Sequence, residues 1–480
     1  MNAVAPEVCR IAKVKNSKLE EFHIENASRE IMRGNIYKAI ISRVEQGLQA
    51  VFVNYGAERN GFLQKHEIHH DYFQSHSETR RSIKHLVRQG QEILVQVIKD
   101  PVNSKGAMLT TFISLAGRHI VLMTGSKNRG ISRKIENEEE RVRLKEIIGK
   151  LKLPEDFGVI IRTAGVKSTK TVIEKDFRYL MRVWKNIKKS VMKEDAPALL
   201  YKERNLVLRS IRDYFTPDVS EILIDDPVAH RETKKFLNVI SPRHTKIVKL
   251  HKGEKPIFTK FQLEDQIASI YESRVSLKSG GSVVIEQTEA LVAIDVNSGK
   301  ATSEKTVEQT ALVTNLEAAE EIARQLRLRD LGGIIIIDFI DMRNRNHKSK
   351  VEQTIKAFVK TDKAKIKIGK ISGFGVMEMS RQRIRPSIEF GSFEPCVYCR
   401  GKGMAPSPET LGLSIIRKLQ LKVLKENASN LRAVVPEKVG YYLLNKKRRE
   451  ICDLESKHDI SIAIKNDSSL LPEESRILEE

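Results

Sequence analysis

The spacing of apolar residues predicts a small all-β module near the start of the chain. Residues 31–112 contain three short runs rich in β-branched residues, at 34–44, 48–55 and 92–99, and glycines separate them. Short strands divided by turn residues are typical of all-β folds. Five or so strands in about eighty residues favour a small closed barrel, for which the OB fold is the leading candidate.

The pattern changes to helices and isolated strands over residues 113–205. Residues 136–153 have the pattern of a charged amphipathic helix. Its apolar side is expected to contain Val142, Ile147, Ile148 and Leu151. Residues 158–165 indicate a buried strand that meets a turn, and residues 171–203 again look helical and basic. Trp184, the only tryptophan, is expected to pack in the core.

The clearest pattern lies further along the chain. Residues 282–300 are expected to form a hairpin whose second strand ends in Asp295. A long helix follows, with apolar residues every three or four positions over 307–326, and then an almost wholly apolar strand at 332–342 that contains Asp338 near its end. Such a continuous apolar run predicts an α/β region whose sheet is covered on both faces.

Two regions give weaker patterns. Residues 206–225 mix strand and helix cues, and their strands are candidates to pair with the N-terminal segment 9–30. That pairing would make the β module an insertion. The last residues, 472–480, are acidic and are expected to be frayed.

Composition narrows the class of protein. The 480 residues are enough for about three domains, and 40% hydrophobic with 30% charged residues is a globular composition. The formal net charge of +22 has two explanations. It keeps the protein in solution, or it attracts nucleic acid or an anionic membrane surface. On charge alone the two explanations are about evenly balanced.

The same sequence features exclude several classes. No stretch approaches the roughly 18 apolar residues of a membrane span, so an integral membrane protein is excluded. The first residues lack a basic start and an apolar run, so a signal peptide is not expected. Four cysteines cannot form a disulfide framework, which favours a reducing, cytoplasmic location. Walker, dinucleotide-binding and serine-hydrolase motifs are missing from the sequence.

Asp295 and Asp338 are the first candidate catalytic pair. Because each lies near the end of an apolar strand and one helix joins the two strands, we expect them to be neighbours in one sheet. Adjacent carboxylates need a cation between them, and Mg²⁺ is a hard cation that takes few protein oxygens and bridges to phosphate. Asn297 lies two residues after Asp295 and is placed to orient a phosphate or a water. The alternative is that both carboxylates are helix caps or turn residues; Asp341 is the obvious decoy.

Two further groups of residues suggest contacts with a polyanion. Phe52, Tyr55 and Phe62, with Lys105, are candidates to stack bases and hold phosphate on the barrel surface. The alternative, buried aromatic rings, is the more usual arrangement. Residues 162–165 combine an arginine, a hydroxyl and turn backbone, which is a reasonable but weak anion site.

Cys396 and Cys399 form half of a zinc knuckle, because a structural zinc site takes four ligands. Cys9 and Cys452 bear no spacing relation to them. If zinc binds to the pair, a second chain is one source of the missing thiolates. The alternatives are a redox pair, whose usual thioredoxin-like context is not evident, and a chance approach of two thiols. The adjacent His69 and His70 are expected to face different ways, so no metal site is predicted there.

Several long blocks are similar to the ribonuclease E/G family and occur in that family's order. They include EALVAIDVNSGKAT (289–302), residues 314–342, GFGVMEMSRQR (373–383), C-x-x-C-x-G-x-G (396–403), and the agreeing stretches 35–63 and 160–166. The resemblance runs from about residue 20 to residue 405. Of the family's two branches, the chain is expected to be more similar to ribonuclease G, because it stops soon after the cysteine motif.

The resemblance implies an endoribonuclease. Its members cut single-stranded, A/U-rich RNA with Mg²⁺, leave 5′-phosphate and 3′-hydroxyl ends, are stimulated by a 5′-monophosphate, and act in rRNA processing and mRNA decay. By motif match, Asp295 and Asp338 become the magnesium ligands and Asn297 the residue that orients the scissile phosphate. Phe52, Phe62 and Lys105 correspond to the RNA-gripping face of the barrel.

The resemblance also implies a sensor pocket and an assembly. Arg162 and Thr163 match the pocket that senses a 5′-monophosphate. The further residues matched to that pocket are Gly117, Val121, Arg133 and Lys365. Cys396 and Cys399 would share one zinc with the same pair of a partner chain, which implies a homodimer or homotetramer with no role for a membrane.

The implied architecture is an α+β multidomain chain. Its expected parts are an RNase H-like region (1–30 and 206–275), an OB-type barrel (31–112), a 5′-sensor (113–205), a DNase I-like α/β catalytic domain (276–392), a zinc link (393–406) and a small C-terminal domain (407–480). The runner-up hypothesis is a non-catalytic RNA-binding protein, and a third is a general DNA nuclease.

Overall fold

A computed structural model describes most of the chain. The residues outside the description are Pro6, 27–31, 75–81, 102–105, Lys152, Lys167, 300–305, Pro386, 389–392, 427–429 and Glu480. The chain divides into two compact units, Met1–Ile388 and Glu389–Glu480.

The chain opens with a β-hairpin, β1 (Val8–Lys15) and β2 (Lys18–Asn26), which pair antiparallel. Asn16 and Ser17 both have positive φ at its tip. Two successive residues with positive φ suit the right-handed twist of a two-residue hairpin turn. Leu19 and Phe22 point into the interior and are fully buried.

Five strands form a closed barrel. They are β3 (Ile36–Glu45), β4 (Ala50–Asn54), β5 (Gly61–Gln64), β6 (Glu92–Lys99) and β7 (Met108–Thr110). Their order is β3-β4-β5-β7-β6, and β6 pairs again with β3, which closes the sheet. Buried apolar residues such as Ile41, Val53 and Leu63 fill the interior. The predicted small all-β barrel is confirmed.

A second sheet and two helices follow. The strands are β8 (Ser114–Ala116), β9 (Ile120–Thr124), β10 (Arg129–Ile131) and β11 (Phe157–Ile161), in the order β10-β11-β9-β8. The helices are α1 (Glu138–Gly149) and α2 (Lys170–Val191). The predicted helix over 171–203 ends early, because β12 (Ala198–Tyr201) pairs with β3.

The predicted apolar side of α1 needs one correction. Val142 is 50% exposed, whereas Leu144 is fully buried and Ile147 and Ile148 pack with it. Leu144 is three and four residues from the two isoleucines, which places it on their side of the helix, while Val142 falls outside that spacing. Trp184 of α2 is buried in the same core, as predicted.

The next segment packs on the N-terminal residues without joining their sheet. Its elements are α3 (Leu206–Tyr214), β13 (Ile222–Ile224), α4 (Pro227–Ile240), β14 (Val248–Leu250), α5 (Ile257–Lys260) and α6 (Glu264–Ala268).

The predicted pairing of this segment with residues 9–30 is wrong, because β13 pairs in parallel with β14. Helix α4 lies between the two strands and returns the chain beside β13. The next strand along the chain, β14, is therefore the one that pairs with β13. The N-terminal residues contribute side chains instead: Ile11 packs in the core of this segment, and the Met1 ammonium donates to Leu223 O at 2.8 Å.

A six-stranded mixed sheet completes the first unit. Its elements are β15 (Arg274–Ser276), β16 (Ser282–Gln287), β17 (Leu291–Asn297), α7 (Val307–Leu328), β18 (Gly333–Asp338), α8 (Arg345–Val359), β19 (Ile366–Ile371) and β20 (Val376–Arg381). The strand order is β15-β16-β17-β18-β20-β19. The pair β17–β18 is parallel and is joined by the crossover helix α7.

This sheet is covered on one face. Ile335 and Ile337 of β18 are fully buried with residues of α7 and α8, whereas Ile334 is 56% exposed. The prediction of a sheet covered on both faces is therefore wrong. Most strand pairs here are antiparallel, and such sheets commonly leave one face open, so the apolar run of β18 did not require a second covering layer.

The second unit is a small α/β module. It contains α9 (Pro408–Glu426), β21 (Asn430–Val435), α10 (Glu437–Lys446), α11 (Arg448–His458), β22 (Ser461–Asn466) and β23 (Arg476–Glu479). Strands β21 and β22 are parallel, and β23 pairs antiparallel with β21. Residues 476–479 are thus ordered in a sheet, which corrects the expectation of a frayed end.

Candidate functional site

The two predicted carboxylates are direct neighbours on the open face of the mixed sheet. In the parallel pair β17–β18, Asp295 stands opposite Asp338, and both side chains are exposed. Asn297 Nδ2 donates to Asp295 Oδ2 at 2.7 Å, so the amide is fixed beside the pair. The alternative of helix capping is wrong, because the caps of α7 and α8 are Thr306 and Asn344.

This arrangement fits a hard divalent cation. Mg²⁺ is held in proteins by one or two carboxylates and keeps several waters, which need open space. Asp295 and Asp338 present carboxylate oxygens on an open face, and no helix of the described chain covers them from that side. Their catalytic and metal-binding roles stay predictions.

The decoy carboxylate Asp341 has a different environment. A Cβ placed on Gly375 would lie 3.3 Å from Asp341 Oδ1, so this carboxylate lies against the turn that precedes β20. Phe374, at the tip of that turn, is 94% exposed, and the following strand begins with Val376 opposite Asp338. Sequence reasoning missed Phe374, although an aromatic residue between two glycines is a detectable signal of an exposed turn.

Another acidic side chain shares the open face with Asp295 and Asp338. Glu378 stands opposite Ile336 in the β18–β20 pair, two positions along the strand from the pair that contains Asp338. Successive residues of a strand alternate between faces, so Glu378 points to the same side as Asp338. The position of Glu378 could not be predicted from the sequence, because the β18–β20 pairing brings together residues that are far apart along the chain.

The aromatic residues of the barrel divide between its surface and its core. Phe52 and Phe62 stand opposite each other on β4 and β5, half-buried, with ring centroids 5.8 Å apart. Tyr55 is fully buried against Tyr37 and is not a surface residue. The prediction that Tyr55 stacks bases on the barrel surface is therefore wrong. The strand alternation places Phe52 and Tyr55 on opposite sides. Lys105 lies outside the described residues.

An arginine extends the aromatic pair. Arg43 of β3 stands opposite Phe52, and its guanidinium carbon lies 5.0 Å from the Phe52 ring centroid. Arg43, Phe52 and Phe62 therefore form a continuous strip across three strands, here called the Arg-Phe strip. Sequence reasoning missed Arg43, because the β3–β4 register contains an irregularity that fixes this pairing.

The predicted sensor residues come together around Arg162. Its guanidinium donates to Gly117 O at 2.7 Å and pairs with Asp213 at 2.7 Å. Thr163 begins the next turn and is exposed, and Val121 of β9 stands opposite Ile160 of β11.

Gly117 is needed for close approach. A Cβ there would lie 2.5 Å from the carboxylate of Asp176, which accepts from His119 N at 2.7 Å and from Ile120 N at 3.2 Å. The loop is therefore wrapped around a buried carboxylate, and the backbone carbonyl of Gly117 is aimed at Arg162.

Three arginines, Arg118, Arg162 and Arg212, lie near the carboxylate of Asp213 in this pocket. Burial, and then the neighbouring Arg162 guanidinium, lower the pKa of Arg118 to about 10. Burial alone would raise the pKa of Asp213, but Arg212 and Arg162 outweigh it and hold that pKa below its usual range. Asp213 was missed by sequence reasoning and is the anion that Arg162 already binds.

Arg133 and Lys365 are exposed near the contact between the second sheet and the mixed sheet. Their neighbour Lys134 donates its ammonium to the carbonyls of Asp362, Lys363 and Ala364. Lys363 in turn donates to Asp213 O. The structure thus brings Arg133 and Lys365 to one junction, and Asp213 links that junction to Arg162.

The cysteine pair lies in a turn whose backbone donates a hydrogen bond to one of the sulfurs. Gly403 N donates to Cys399 Sγ at 3.3 Å, and this hydrogen bond lowers the pKa of the Cys399 thiol. Gly401 and Gly403 both have positive φ, which turns the backbone around the sulfur. Within the described part of the chain, no third cysteine, histidine or carboxylate joins the pair in a ligand cluster. Two thiolates fit half of a structural zinc site.

The adjacent histidines do not face apart as expected. The His69 and His70 ring centroids lie 4.1 Å from each other, and Asp71 completes a cluster of potential ligands. The short turn of 3₁₀-helix at His70–Tyr72 replaces the alternation of a strand, which explains the error.

Family models match most of the chain. Residues 114–384 match the model described as the ribonuclease E/G family, and residues 30–111 match the S1 RNA binding domain. The first match covers more than half of the chain. The chain belongs to the ribonuclease E/G family. The S1 match agrees with the closed OB-type barrel over β3–β7.

Individual relatives support the family and correct the branch. The chain is 44% identical to ribonuclease E of Haemophilus influenzae over 97% of its own length and 50% of that protein. It is 44% identical to ribonuclease E of Escherichia coli K12 over 96% of its length and 44% of that protein. For ribonuclease G of the same strain the identity is 38%, over 87% of this chain and 86% of that protein.

These figures do not support a ribonuclease G type. Identity and coverage of this chain are both higher for the two ribonuclease E relatives, so the expectation of greater similarity to ribonuclease G is wrong. The expectation rested on where the sequence stops, which carries no information about its sequence similarity. The chain spans about half the length of the ribonuclease E proteins that it matches.

A thioredoxin-like domain is present after all. Residues 395–480 match the model described as the RNase E/G thioredoxin-like domain, and β21, α10, α11 and β22 form its parallel βαβ unit. The cysteine motif precedes α9 and does not lie between β21 and α10. It is therefore not in the strand-to-helix position of a redox C-x-x-C.

None of the helices in the described part of the chain is long and apolar enough to cross a bilayer.

Proposed function

We propose that this chain is a Mg²⁺-dependent endoribonuclease that cleaves single-stranded RNA at Asp295 and Asp338. The observation that carries the proposal is the direct opposition of these carboxylates in β17 and β18, on a sheet face that is open to a polymer. Membership of the ribonuclease E/G family supports the same activity.

The chemistry follows from the donor set. Asp295 and Asp338 would hold Mg²⁺, which when bound lowers the pKa of water and neutralises charge that develops on phosphate. Asn297 is tethered to Asp295, and its amide orients the scissile phosphate over the pair. Hydrolysis leaves a 5′-phosphate and a 3′-hydroxyl.

Binding surfaces hold the strand for this reaction. Phe52 and Phe62 stack unpaired bases, and Arg43, with Lys105, holds the backbone. Each stacked base contributes about 1–3 kcal/mol. Phe374 offers one more ring next to the carboxylates. Stacking requires unpaired bases, which explains a preference for weakly paired, A/U-rich single strands.

The 5′ end of the RNA is recognised separately. Arg162 and Thr163 supply the donors for a 5′-monophosphate. Gly117 and Val121 form the wall of this pocket, and Arg133 and Lys365 are the flanking cations. A monophosphate offers a compact dianion that competes with Asp213 for Arg162, and occupancy stimulates cleavage.

The wider assembly forms part of the same proposal. Cys396 and Cys399 bind one zinc together with the same pair of a partner chain, which gives a homodimer or a homotetramer. The barrel (31–112) and sensor (113–205) are insertions in an RNase H-like region (1–30 and 206–275) before a DNase I-like domain (276–392). The enzyme acts in the cytoplasm in rRNA processing and mRNA decay.

A cleavage assay separates the candidate functions. Wild-type protein and Mg²⁺ are given 5′-monophosphorylated single-stranded A/U-rich RNA, the same sequence as a duplex, and the same sequence as DNA. The proposal expects cleavage of the single-stranded RNA alone, with 5′-phosphate products. Binding without cleavage supports the non-catalytic RNA-binding alternative, and equal cleavage of DNA supports a general nuclease.

A further inference from the structure

We propose that His69, His70 and Asp71 form a binding site for a transition-metal ion of the Zn²⁺ class, distinct from the carboxylate pair and from the cysteines. One ligand atom from each residue lies within 4.8 Å of the other two. His69 Nδ1 lies 3.3 Å from Asp71 Oδ2, and His70 Nε2 lies 3.3 Å from Asp71 Oδ1.

The hydrogen bonds of His69 leave its Nδ1 as the ligand atom. Nε2 lies 3.2 Å from Gly125 O, and a carbonyl only accepts, so Nε2 carries the proton. Nδ1 then has the lone pair, which at present accepts from Asp71 N at a long 3.3 Å. Metal-binding histidines are typically held in this way, with the second ring nitrogen donating to a backbone carbonyl.

The position of the His69 ring is fixed from several sides. His69 N donates to Thr111 Oγ1 at 2.6 Å, and the ring packs edge-on against Phe112 with centroids 5.3 Å apart. Gly125 has positive φ, and a Cβ there would lie 2.5 Å from His69 Nε2. The absence of a side chain at residue 125 therefore permits the bond that orients the imidazole.

Ligand type and spacing select the metal. A tetrahedral ion with bonds of about 2.0–2.1 Å has ligands roughly 3.3–3.4 Å apart. Each imidazole nitrogen lies at about that distance from one of the two Asp71 oxygens, and all three ligand atoms lie within 4.8 Å of one another. Two imidazoles with one carboxylate suit Zn²⁺ or its neighbours, whereas Mg²⁺ prefers oxygen ligands. His70 and Asp71 are exposed, so an ion and a completing water have access.

The site lies between the barrel and the second sheet. His69 directly follows Ile68 of the barrel core, and Gly125 directly follows β9. An ion that immobilises residues 69–71 strengthens the contact between the barrel and the second sheet. Metal binding is therefore expected to raise the thermal unfolding temperature of the protein, because a ligand bound to the folded state stabilises it.

The test uses the full chain with Cys396→Ser, Cys399→Ser and Cys452→Ser, so that the exposed thiols and the cysteine motif cannot bind the probe. Co²⁺ is titrated while visible d–d absorption is recorded, and Zn²⁺ is titrated by calorimetry. With Mg²⁺ in excess to occupy Asp295 and Asp338, we expect one Co²⁺ or Zn²⁺ ion per chain. His70→Ala and Asp71→Asn, both at exposed positions, are each expected to weaken this binding by about tenfold or more.

His66→Ala is the matched control, because its imidazole is 73% exposed and lies outside the cluster. It is expected to leave the dissociation constant unchanged. The proposal is overturned if no stoichiometric ion binds, or if His70→Ala and Asp71→Asn bind Zn²⁺ as tightly as the parent chain. In that case the three side chains form only hydrogen bonds and ion pairs with one another.

Discussion

Phe52 and Tyr55 lie three residues apart in β4 and its exit turn, yet they differ in what they contact. Phe52 is half-buried in the Arg-Phe strip, and Tyr55 is sealed in the barrel core. The residue types alone cannot distinguish these roles, because both rings suit either stacking or packing. The alternation of the strand decides between them, and the closing turn fixes the position of Tyr55.

Substitution of these two residues should therefore affect different properties. We expect Phe52→Leu, which keeps an apolar side chain but removes the ring, to weaken the binding of single-stranded RNA by about 1–3 kcal/mol. Tyr55→Ala is expected to lower the free energy of unfolding by about 3–5 kcal/mol through a core cavity. Fluorescence anisotropy and thermal unfolding measure the two effects. Unchanged RNA affinity in Phe52→Leu would contradict the role of the strip.

At the scale of elements, the order of strands in the mixed sheet could be predicted only in part. The adjacency of β17 and β18 follows from the sequence, because a single crossover helix joins two parallel strands. The open face does not follow, since the apolar run of β18 has the pattern of a strand buried on both sides. Only the pairing with the antiparallel β20 shows that Ile334 and Asp338 face outward.

The remaining errors have similar causes. Asp213 and Glu378 were missed because their roles depend on contacts between segments that are distant along the chain. Arg43 was missed because its position opposite Phe52 depends on an irregular register in the β3–β4 hairpin. The His69–His70 geometry depends on a three-residue helical turn that no periodicity reveals. Local patterns therefore identified the barrel and the carboxylate pair, while tertiary contacts decided the surroundings of each site.

The N-terminal hairpin carries a buried histidine with a displaced pKa. Arg385 donates to His23 Nδ1 at 2.7 Å, so the proton is on Nε2, which faces Glu21 at 3.7 Å. Burial, and then the Arg385 charge, lower the pKa of His23 to about 4. The unfolded chain therefore binds a proton between pH 4 and 6.5 that the folded chain does not bind.

This difference predicts a pH dependence of stability. The free energy of unfolding should rise as the pH increases from about 4 to 6.5 and should then level off. Neutral His23 contributes up to about 3 kcal/mol to this rise. Glu21 and Asp330 also have shifted pKa values and contribute their own pH dependence. The quantity to measure is therefore the free energy of unfolding of the wild type minus that of His23→Gln, in which these other contributions are shared. If the difference does not change over this range, His23 is not buried as a neutral group.

At the scale of the molecule, contacts connect the sensor to the mixed sheet. Arg162 binds Asp213, Lys363 donates to Asp213 O, and Asp362 pairs with Arg381 of β20 at 2.8 Å. Strand β20 in turn pairs with β18, which carries Asp338. This continuous path of contacts connects the surroundings of Arg162, where we propose that the 5′ end binds, with the carboxylates.

If Arg162 binds the 5′ phosphate as proposed, one substitution should reduce the preference for RNA with a 5′-monophosphate. We expect Arg162→Ala to narrow the ratio of cleavage rates for 5′-monophosphate over 5′-triphosphate RNA, because the main anion donor is lost. Arg178→Ala is the control, since Arg178 is an exposed residue of α2 that pairs with Glu174 on the same helix. A ratio that is unchanged in Arg162→Ala would remove the sensor role.

The cysteine knuckle predicts a stoichiometry. Because each chain supplies two thiolates of a four-ligand site, we expect one zinc per two chains at this motif, measured in a His70→Ala background that removes the other proposed site. Cys399→Ala is expected to dissociate the dimer, and Cys452→Ala, an exposed thiol outside the motif, should not. One zinc per chain in that background would contradict a shared site.

The net charge of +22 and the carboxylate pair have separate functions. Basic surfaces attract RNA and make its binding sensitive to salt, because association releases counterions. Cleavage, in the function that we propose, depends on two acidic residues on one open face. A salt increase should therefore weaken RNA binding without abolishing the chemical step at saturating RNA.

We propose that the opposed carboxylates of β17 and β18 carry out the cleavage. The most direct test of this proposal compares single-turnover cleavage of 5′-monophosphorylated A/U-rich RNA, with Mg²⁺, by Asp338→Asn and by Asp341→Asn. We predict a loss of about 10³-fold or more for Asp338→Asn, by analogy with the removal of other transition-state charge-stabilising groups, and near wild-type rates for Asp341→Asn. Near wild-type cleavage by Asp338→Asn would contradict the account.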